Sequence, residues 1–239
     1  RRAACRLHPA AGGEAAAQER LTQTRFAQPA LFTLSYALAR WWESLGVRPA
    51  AMIGHSIGEY AGACLQGIFS LEDALRVVVK RGDLMQAQPP GKMLSVRFSE
   101  DEVQPYLNQD IALAAANAPA LSVLSGPSEA IEALARQLEE KGQGGRVLQT
   151  SHAFHSSMME PALEPFRQFL RTIKLKAPEQ PFLSSMTGSW VPPDQVAEAD
   201  YWVRQIREPV RFSKALTEAA ALDDAVFLEA GPGQALTTL

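Results

Sequence analysis

The stretch Ala51-Met-Ile-Gly-His-Ser-Ile-Gly-Glu-Tyr60 carries the pattern from which the fold of this chain is best inferred. A short apolar run enters it, and helix-compatible residues from Glu59 to Gln66 follow it. Between them lies Gly54-His-Ser-Ile-Gly58, a Gly-x-Ser-x-Gly pentapeptide. Strand, sharp turn and helix in that order are the context of a nucleophile elbow, whose glycines let neighbouring backbones pass close to the turn. The stretch therefore predicts that Ser56 is presented as a nucleophile.

The residue after the serine has a predicted role of its own. The turn places the Ile57 N–H at the N-terminus of the following helix, where developing negative charge is stabilised. Ile57 is thus a candidate donor of an oxyanion hole. Because Gly and Ser are common, a lone Gly-x-Ser-x-Gly match is often an ordinary turn, and the interpretation depends on the flanking strand and helix.

Composition excludes several classes of protein. The chain has 239 residues, is 46% apolar and 21% charged, and carries a net charge of −3. This charge offers no basic surface for nucleic acid or for an anionic membrane, and no apolar run is long enough to span a bilayer. Arg1, Arg2 and Arg6 are not followed by an apolar run, so no signal peptide is predicted. The two cysteines, Cys5 and Cys64, form neither a disulfide framework nor a metal-binding spacing, which favours a reducing, cytoplasmic compartment and no metal.

A change of apolar period marks an inserted unit. After Pro89-Pro90-Gly91 the period shortens to two, as in strands. In chain order the predicted elements are a strand over Leu94–Phe98, a helix over Ser99–Leu107, strands over Ile111–Asn117 and Leu121–Ser125, a helix that begins at Ser128, and a strand over Arg146–Thr150. This βαββαβ order predicts a small ferredoxin-like subdomain over residues 92–150.

The remaining segments, 1–91 and 151–239, are predicted to form one large α/β subdomain. Apolar spacing predicts a helix from Thr24 that Gly46 ends, and Ser70-Leu-Glu-Asp73 predicts a capped helix start. Later predictions are strands over Pro181–Met186 and Ala225–Leu228, and helices over Tyr201–Ile206 and Phe212–Leu222.

A serine nucleophile needs a base, and the chain has four histidines. His8 lies in the lead-in, and His55 should point away from the serine. His152 and His155 flank Ala153-Phe154 at the boundary between the two predicted subdomains, and only one of them is expected to reach the serine. No histidine follows position 155 and no acid stands out as its partner, which favours a Ser–His dyad oriented by a neutral acceptor. The residues alone therefore predict a serine enzyme that forms an acyl intermediate, with an unknown acceptor.

Seven segments together resemble the acyltransferase domain of modular polyketide synthases and the related malonyl-CoA:acyl carrier protein transacylases. They are Gln28–Phe32, Gly54–Tyr60, Arg81–Met85, Asn117–Pro119 with Ser125–Pro127, His152–His155, Trp202–Val210 and Glu229–Gly233. They occur in the family's order over about residues 22–239, and jointly they are specific. The resemblance and the elbow imply that the large subdomain is α/β-hydrolase-like, with a mostly parallel sheet.

The resemblance implies a role for each motif residue. Ser56 takes the malonyl group of malonyl-CoA as an ester, and His155 acts as base and then as acid. Arg81, otherwise an ordinary surface or capping charge, holds the free malonyl carboxylate through a fork-to-fork contact. The backbone carbonyl of Gln205 orients His155, and the Ile57 N–H is an oxyanion donor. No bound cofactor is implied.

The resemblance also implies acceptors and partners. The acceptor is the phosphopantetheine thiol of an acyl carrier protein, and neighbouring ketosynthase and other polyketide synthase domains are partners in secondary-metabolite synthesis. His55 and Asn117 are further substrate-binding candidates. The Phe154 ring is expected to exclude a 2-methyl group and so favour malonyl over methylmalonyl, and the alternative is that it only packs the subdomain boundary.

One departure from the family bears on activity. The family begins with a strand and a Gly-Gln-Gly-type loop that gives the second oxyanion donor, and no such segment precedes Thr22. Loss of one donor raises the barrier by about 2.7–4 kcal/mol, so weak or no activity is expected. Two other functions stay open: a serine hydrolase, such as an editing enzyme, and a non-catalytic interaction module.

Overall fold

Helices dominate the first third of the computed structural model, which describes residues 12–178 and 182–239. The opening residues with Cys5 and His8 lie outside that range. The first helices are α1 (Glu14–Thr22), α2 (Thr24–Ser44), α3 (Gly58–Leu65) and α4 (Leu71–Gln86). Gly46, at φ +90°, ends the chain's longest described helix as predicted, and Ser70 caps α4 by accepting the Asp73 N–H at 3.1 Å. No helix in the described ranges combines the length and apolarity that a membrane span requires.

Residues 92–147 form an antiparallel sheet of four strands in the order β2-β3-β1-β4. The strands are β1 (Lys92–Val96), β2 (Ala112–Ala118), β3 (Leu121–Gly126) and β4 (Arg146–Val147). Helix α5 (Ser128–Glu140) packs on this sheet through Ile131, Leu134 and Leu138. The predicted helix over Ser99–Leu107 is wrong. Turns and a short 3₁₀ helix (Gln104–Tyr106) replace it, because Pro105 supplies no N–H for an α-helical bond.

The rest of the chain returns to the first helices. It contains α6 (Glu160–Leu170), β5 (Phe182–Ser184), β6 (Ser189–Val191), α7 (Pro193–Val196), α8 (Ala199–Arg207) and α9 (Phe212–Ala220). Trp202 on α8 is fully buried, and its ring centroid lies 4.8 Å from that of Tyr60 and 4.9 Å from that of Phe69. This aromatic cluster fixes α8 directly behind the turn that carries Ser56.

The expectation of a mostly parallel sheet is wrong for the described residues, whose sheets are antiparallel and whose parallel strand pairing is sparse. The parallel pairing consists of two isolated bridges, Met52 with Phe182 and Ala115 with Val210, beside the antiparallel pair β5–β6. The predicted strand over Ala225–Leu228 is wrong, since the segment is irregular and Val226 is 93% exposed. No other described strand pairs with this segment, and an extended segment without a partner leaves its N–H and C=O groups unpaired.

Candidate active site

The turn at Ser56 has the strained geometry that the pentapeptide predicts. Ser56 adopts φ +49°, a left-handed conformation that is uncommon for a residue with a side chain. A Cβ added at Gly54 would overlap the backbone of Gly58 and Glu59, whereas one added at Gly58 would meet no atom within 4 Å. The first glycine is therefore sterically required. The expectation that both glycines allow a close backbone approach is wrong for the second, because α3 leaves open space beside Gly58.

The start of α3 places the Ile57 N–H next to the nucleophile. Ile57 precedes the first helical residue, and the Ser56 carbonyl already accepts the N–H of Glu59 at 3.1 Å. The N–H groups of a first helical turn point away from the helix and have no intrahelical acceptor. Position and direction therefore suit the predicted oxyanion donor.

His155 is the histidine that reaches the nucleophile. Its Nε2 lies 2.9 Å from Ser56 Oγ, and its Nδ1 lies 2.8 Å from the carbonyl oxygen of Glu208. A carbonyl only accepts, so Nδ1 carries the hydrogen and Nε2 is free to accept the serine proton. His152 is held elsewhere by Ser151 Oγ at 2.7 Å and the Gln88 carbonyl at 3.1 Å. Of the two candidate bases, His155 is the one within hydrogen-bond distance of Ser56.

The acceptor that orients His155 differs from the predicted one. Helix α8 ends at Arg207, and Glu208 has an extended backbone (φ −70°, ψ 150°). This change of direction turns the Glu208 carbonyl toward the imidazole, while the backbone of Gln205 stays within the helix. The prediction that the Gln205 carbonyl orients His155 is therefore wrong, although a neutral backbone acceptor is present as expected.

Burial keeps His155 neutral. Removal from water, with a further contribution from the positive charge of Arg81, lowers the pKa of His155 to about 3. An imidazole with such a pKa is unprotonated at neutral pH and available as a base. Like Ser56 it adopts a left-handed backbone conformation, at φ +58°. Both side chains of this hydrogen-bonded pair are thus carried by strained backbone, as is common at active sites.

Arg81 on α4 points its guanidinium at the nucleophile. The residue is 1% exposed, and its Nη2 donates to Ser56 Oγ at 3.3 Å and to Gln205 Oε1 at 3.2 Å. Its Nη1 donates to Gln28 Oε1 at 2.6 Å, and the Tyr60 ring centroid lies 5.4 Å from its Cζ. Among the described residues no carboxylate forms an ion pair with Arg81, and its Nε has no hydrogen-bond partner. The expectation that this arginine is an ordinary surface charge is thereby excluded.

Such an environment is unusual for a cation. A buried charge is normally paired, because its removal from water is costly. Burial lowers the pKa of Arg81, and the described side chains that accept hydrogen bonds from its guanidinium are all neutral. The site therefore provides a positive group and an unused N–H close to the serine hydroxyl, as an anion-binding site requires.

Two further predicted residues lie together but do not bond to the dyad. His55 Nε2 lies 2.8 Å from Asn117 Oδ1, so the turn is tied to β2, and burial lowers the pKa of His55. Phe154 is half-buried. It packs against apolar side chains of the helical part of the chain and against those of the four-stranded sheet. Its ring centroid lies 6.0 Å from that of His152.

Sequence reasoning missed the two glutamine side chains and the Glu208 carbonyl. Gln28 belongs to a quoted motif, and its Nε2 also donates to Thr24 Oγ1 at 2.7 Å. A polar residue on the buried face of an apolar helix is the signal that marks it.

Within the described ranges no three His, Cys, Asp or Glu side chains are grouped so as to hold a metal ion.

Known proteins with similar sequence agree on one family. The family model for the acyl transferase domain matches residues 14–238. The mycoketide-CoA synthase of Mycobacterium tuberculosis is 42% identical over 217 residues, which are 90% of this chain and 5% of that protein. The PKS-NRPS hybrid synthetase ATPKS of Aspergillus niger is 40% identical over 230 residues, 93% of this chain and 12% of that protein.

Solved structures show the same relationship. The acyltransferase domain from the second module of the salinomycin polyketide synthase matches with a TM-score of 0.88 and 45% identity, over 92% of this chain and 53% of that one. The malonyl CoA-acyl carrier protein transacylase from Burkholderia pseudomallei matches with a TM-score of 0.84 and 30% identity, over 92% of this chain and 79% of that one. The chain spans about half of the salinomycin synthase domain and only a small part of the two whole synthases. It belongs to the acyl transferase domain family, alongside polyketide synthase acyltransferases and malonyl transacylases.

Proposed function

We propose that this chain loads malonyl groups from malonyl-CoA onto the phosphopantetheine thiol of an acyl carrier protein during polyketide biosynthesis. One observation carries the proposal: a buried guanidinium, with no carboxylate partner among the described residues, lies 3.3 Å from the serine hydroxyl that an imidazole already contacts. A dicarboxylic acyl group has one carboxylate more than an acetyl group. Arg81 can therefore bind the malonyl carboxylate while Ser56 reacts with its thioester.

The first half-reaction forms the ester. His155 Nε2 takes the proton of Ser56 Oγ as the oxygen attacks the thioester carbon of malonyl-CoA. The tetrahedral oxyanion is stabilised by the Ile57 N–H. When the intermediate collapses, the carbon–sulfur bond breaks and the coenzyme A sulfur takes the proton from His155. The Glu208 carbonyl accepts from Nδ1–H at 2.8 Å and so stabilises the transient imidazolium.

The second half-reaction runs the same steps in reverse. The carrier-protein thiol gives its proton to His155 Nε2 and its sulfur attacks the ester carbon. The ester C–O bond breaks, and Ser56 Oγ recovers the proton. No bound cofactor is needed, because both acyl donor and acceptor arrive as substrates.

Selectivity and architecture form part of the proposal. Phe154 limits the room for a 2-methyl group, while His55 and Asn117 shape the wall of the substrate site beside the turn.

Residues 92–150 form a ferredoxin-like subdomain, which is supported by their sheet order and separate apolar cluster. Residues 1–91 and 151–239 form a hydrolase-like α/β subdomain, supported by the strained turn and the parallel Met52–Phe182 bridge. The chain acts in the cytoplasm beside ketosynthase and other synthase domains, in keeping with its buried free thiol at Cys64.

The test is intact-protein mass spectrometry after incubation with malonyl-CoA or methylmalonyl-CoA, followed by addition of a phosphopantetheinylated carrier protein. We expect slow formation of one malonyl adduct, less methylmalonyl adduct, and passage of the malonyl group to the carrier. Ser56→Ala should abolish the adduct, while Ser44→Ala, on an exposed helix end, should keep it. Release of free malonate without carrier would instead indicate a hydrolase, and carrier binding without any adduct an interaction module.

A further inference from the structure

Helix α8 presents the side-chain amide of Gln205 to both the Ser56 turn and the Arg81 guanidinium. Gln205 is 2% exposed, and its Nε2 donates to the backbone carbonyl of Ser56 at 2.7 Å. Its Oε1 accepts from Nη2 of Arg81 at 3.2 Å. A single side chain thus connects the strained nucleophile turn to the guanidinium. Neither bond involves the Gln205 backbone, to which the family resemblance assigns a role.

We propose that the side chain of Gln205 is a positioning residue for acyl selectivity. It holds the guanidinium of Arg81 at a set distance from Ser56, so that only an acyl group with a carboxylate at the right spacing satisfies both. This inference rests on the proposed function. It adds that the preference for dicarboxylic acyl groups depends on a residue that itself binds neither substrate nor leaving group.

The bonds around the amide explain how it fixes this geometry. The Ser56 carbonyl accepts from Gln205 and from the N–H of Glu59, so the turn is held from α8 as well as from α3. The guanidinium is held from two sides, by Gln28 on Nη1 and by Gln205 on Nη2. With these neutral acceptors in place, Nε has no hydrogen-bond partner among the residues that the structure describes, and its hydrogen is left for an anion. Without the Gln205 amide, the Ser56 hydroxyl would be the one remaining acceptor for Nη2 of Arg81 among the described residues.

The Gln205 amide is also neutral, as the proposed selectivity requires. A carboxylate at this position would pair with Arg81 and compete with the substrate carboxylate, because charge-assisted bonds are about twice as strong as neutral ones. The nearby buried acid, Glu59, forms no ion pair with Arg81: its Oε1 accepts the Ser185 N–H at 2.7 Å, and its Oε2 has no hydrogen-bond partner in the described part of the chain. Burial raises the pKa of Glu59 to about 7, so at neutral pH it carries less negative charge than an ordinary glutamate does. A glutamine is the residue that orients the arginine without neutralising it.

The experiment measures the rate of Ser56 acylation by malonyl-CoA and by acetyl-CoA separately, with intact mass as the readout. For Gln205→Glu we expect the malonyl rate to fall at least about 10-fold more than the acetyl rate, as for a competing charge-assisted pair. For Gln205→Met, of similar length but without an amide, we expect a smaller loss of preference, about 3- to 10-fold, as for a neutral hydrogen bond. Gln195→Glu, the same change at an exposed site on α7, should leave the preference unchanged.

The outcomes separate this inference from the proposed function. If wild type prefers malonyl and Arg81→Ala loses that preference, but both Gln205 variants retain it, the positioning role is wrong and the proposed function stands. Malonyl and acetyl rates that fall in parallel with the melting temperature would also overturn it, since they indicate a purely structural role. A wild type without malonyl preference would overturn both. Should Gln205→Glu not fold, Gln205→Met decides.

Discussion

Two arginines of this chain show opposite ways of accommodating a cation. Arg167 on α6 lies at the surface, where its Nη1 bonds to Glu164 at 2.7 Å and its Nε to Asp200 at 2.8 Å. Arg81 is buried, and the groups that accept from it are two amides and one hydroxyl. The surface arginine is paired by carboxylates of its own chain, whereas no carboxylate in the described ranges forms an ion pair with the buried one. The difference teaches that the lack of an ion pair, rather than burial alone, points to Arg81 as the proposed substrate-binding arginine.

The largest effect is expected from a substitution that disrupts the buried turn beside Arg81. Gly54→Ala should abolish acylation and lower stability, because the added Cβ overlaps the backbone of Gly58 and Glu59. Gly58→Ala is the matched control, with no atom within 4 Å of the new Cβ, and should retain both. Thermal melts and adduct formation measure this contrast. Equal tolerance of the two substitutions would show that the turn is not held by close backbone packing.

The next prediction compares the two arginines directly. Arg81→Ala should reduce the malonyl acylation rate by about 100-fold, the equivalent of a lost charge-assisted contact of roughly 2–3 kcal/mol, with little loss for acetyl-CoA. Arg167→Ala should leave both rates unchanged, because its ion pairs are exposed and contribute little. Rates come from adduct formation against time. A similar loss of malonyl rate in the two variants would show that the lack of an ion pair does not distinguish Arg81 from Arg167 in function.

A smaller effect concerns stability and pH. Glu59 is buried, and its pKa is raised from 4.5 to about 7, so the folded protein binds its proton more tightly than the unfolded chain does. The associated stability is present below about pH 4.5 and is lost as pH rises through about 7. Glu59→Gln removes this dependence. The melting temperature of the variant should therefore rise relative to wild type across that window, and a constant difference would contradict the raised pKa.

The smallest expected effect is an absence of change. With a pKa of about 3, His155 stays neutral well below the pH at which an ordinary histidine, with a pKa near 6.5, becomes protonated. The acylation rate should therefore be flat from about pH 8 to about pH 5. Stopped acylation reactions analysed by mass provide the profile. A fall in rate centred near pH 6.5 would mean that the imidazole is more exposed to water than the structure shows.

Local chemistry explains which features the sequence could predict. Ser56, Arg81 and His155 stand in motifs that resemble those of a known family, and the structure brings their side chains together as expected. The helix ended by Gly46 and the cap at Ser70 follow from local signals that need no distant partner.

Features that depend on distant parts of the chain were missed. The acceptor for His155 depends on where α8 ends and which way the next carbonyl turns, and no residue type encodes that direction. The roles of the Gln28 and Gln205 side chains arise only when α2, α4 and α8 pack together. The strand predicted over Ala225–Leu228 fails because an apolar run without a pairing partner does not form a strand.

The most direct test of the central claim is a crystal structure of the protein after reaction with malonyl-CoA. We predict a malonyl ester on Ser56 Oγ whose free carboxylate accepts from Nε and one Nη of Arg81, so that the unpaired Nε gains its partner. An ester whose carboxylate points to solvent, with the guanidinium still bonded only to the two amides, would contradict the account.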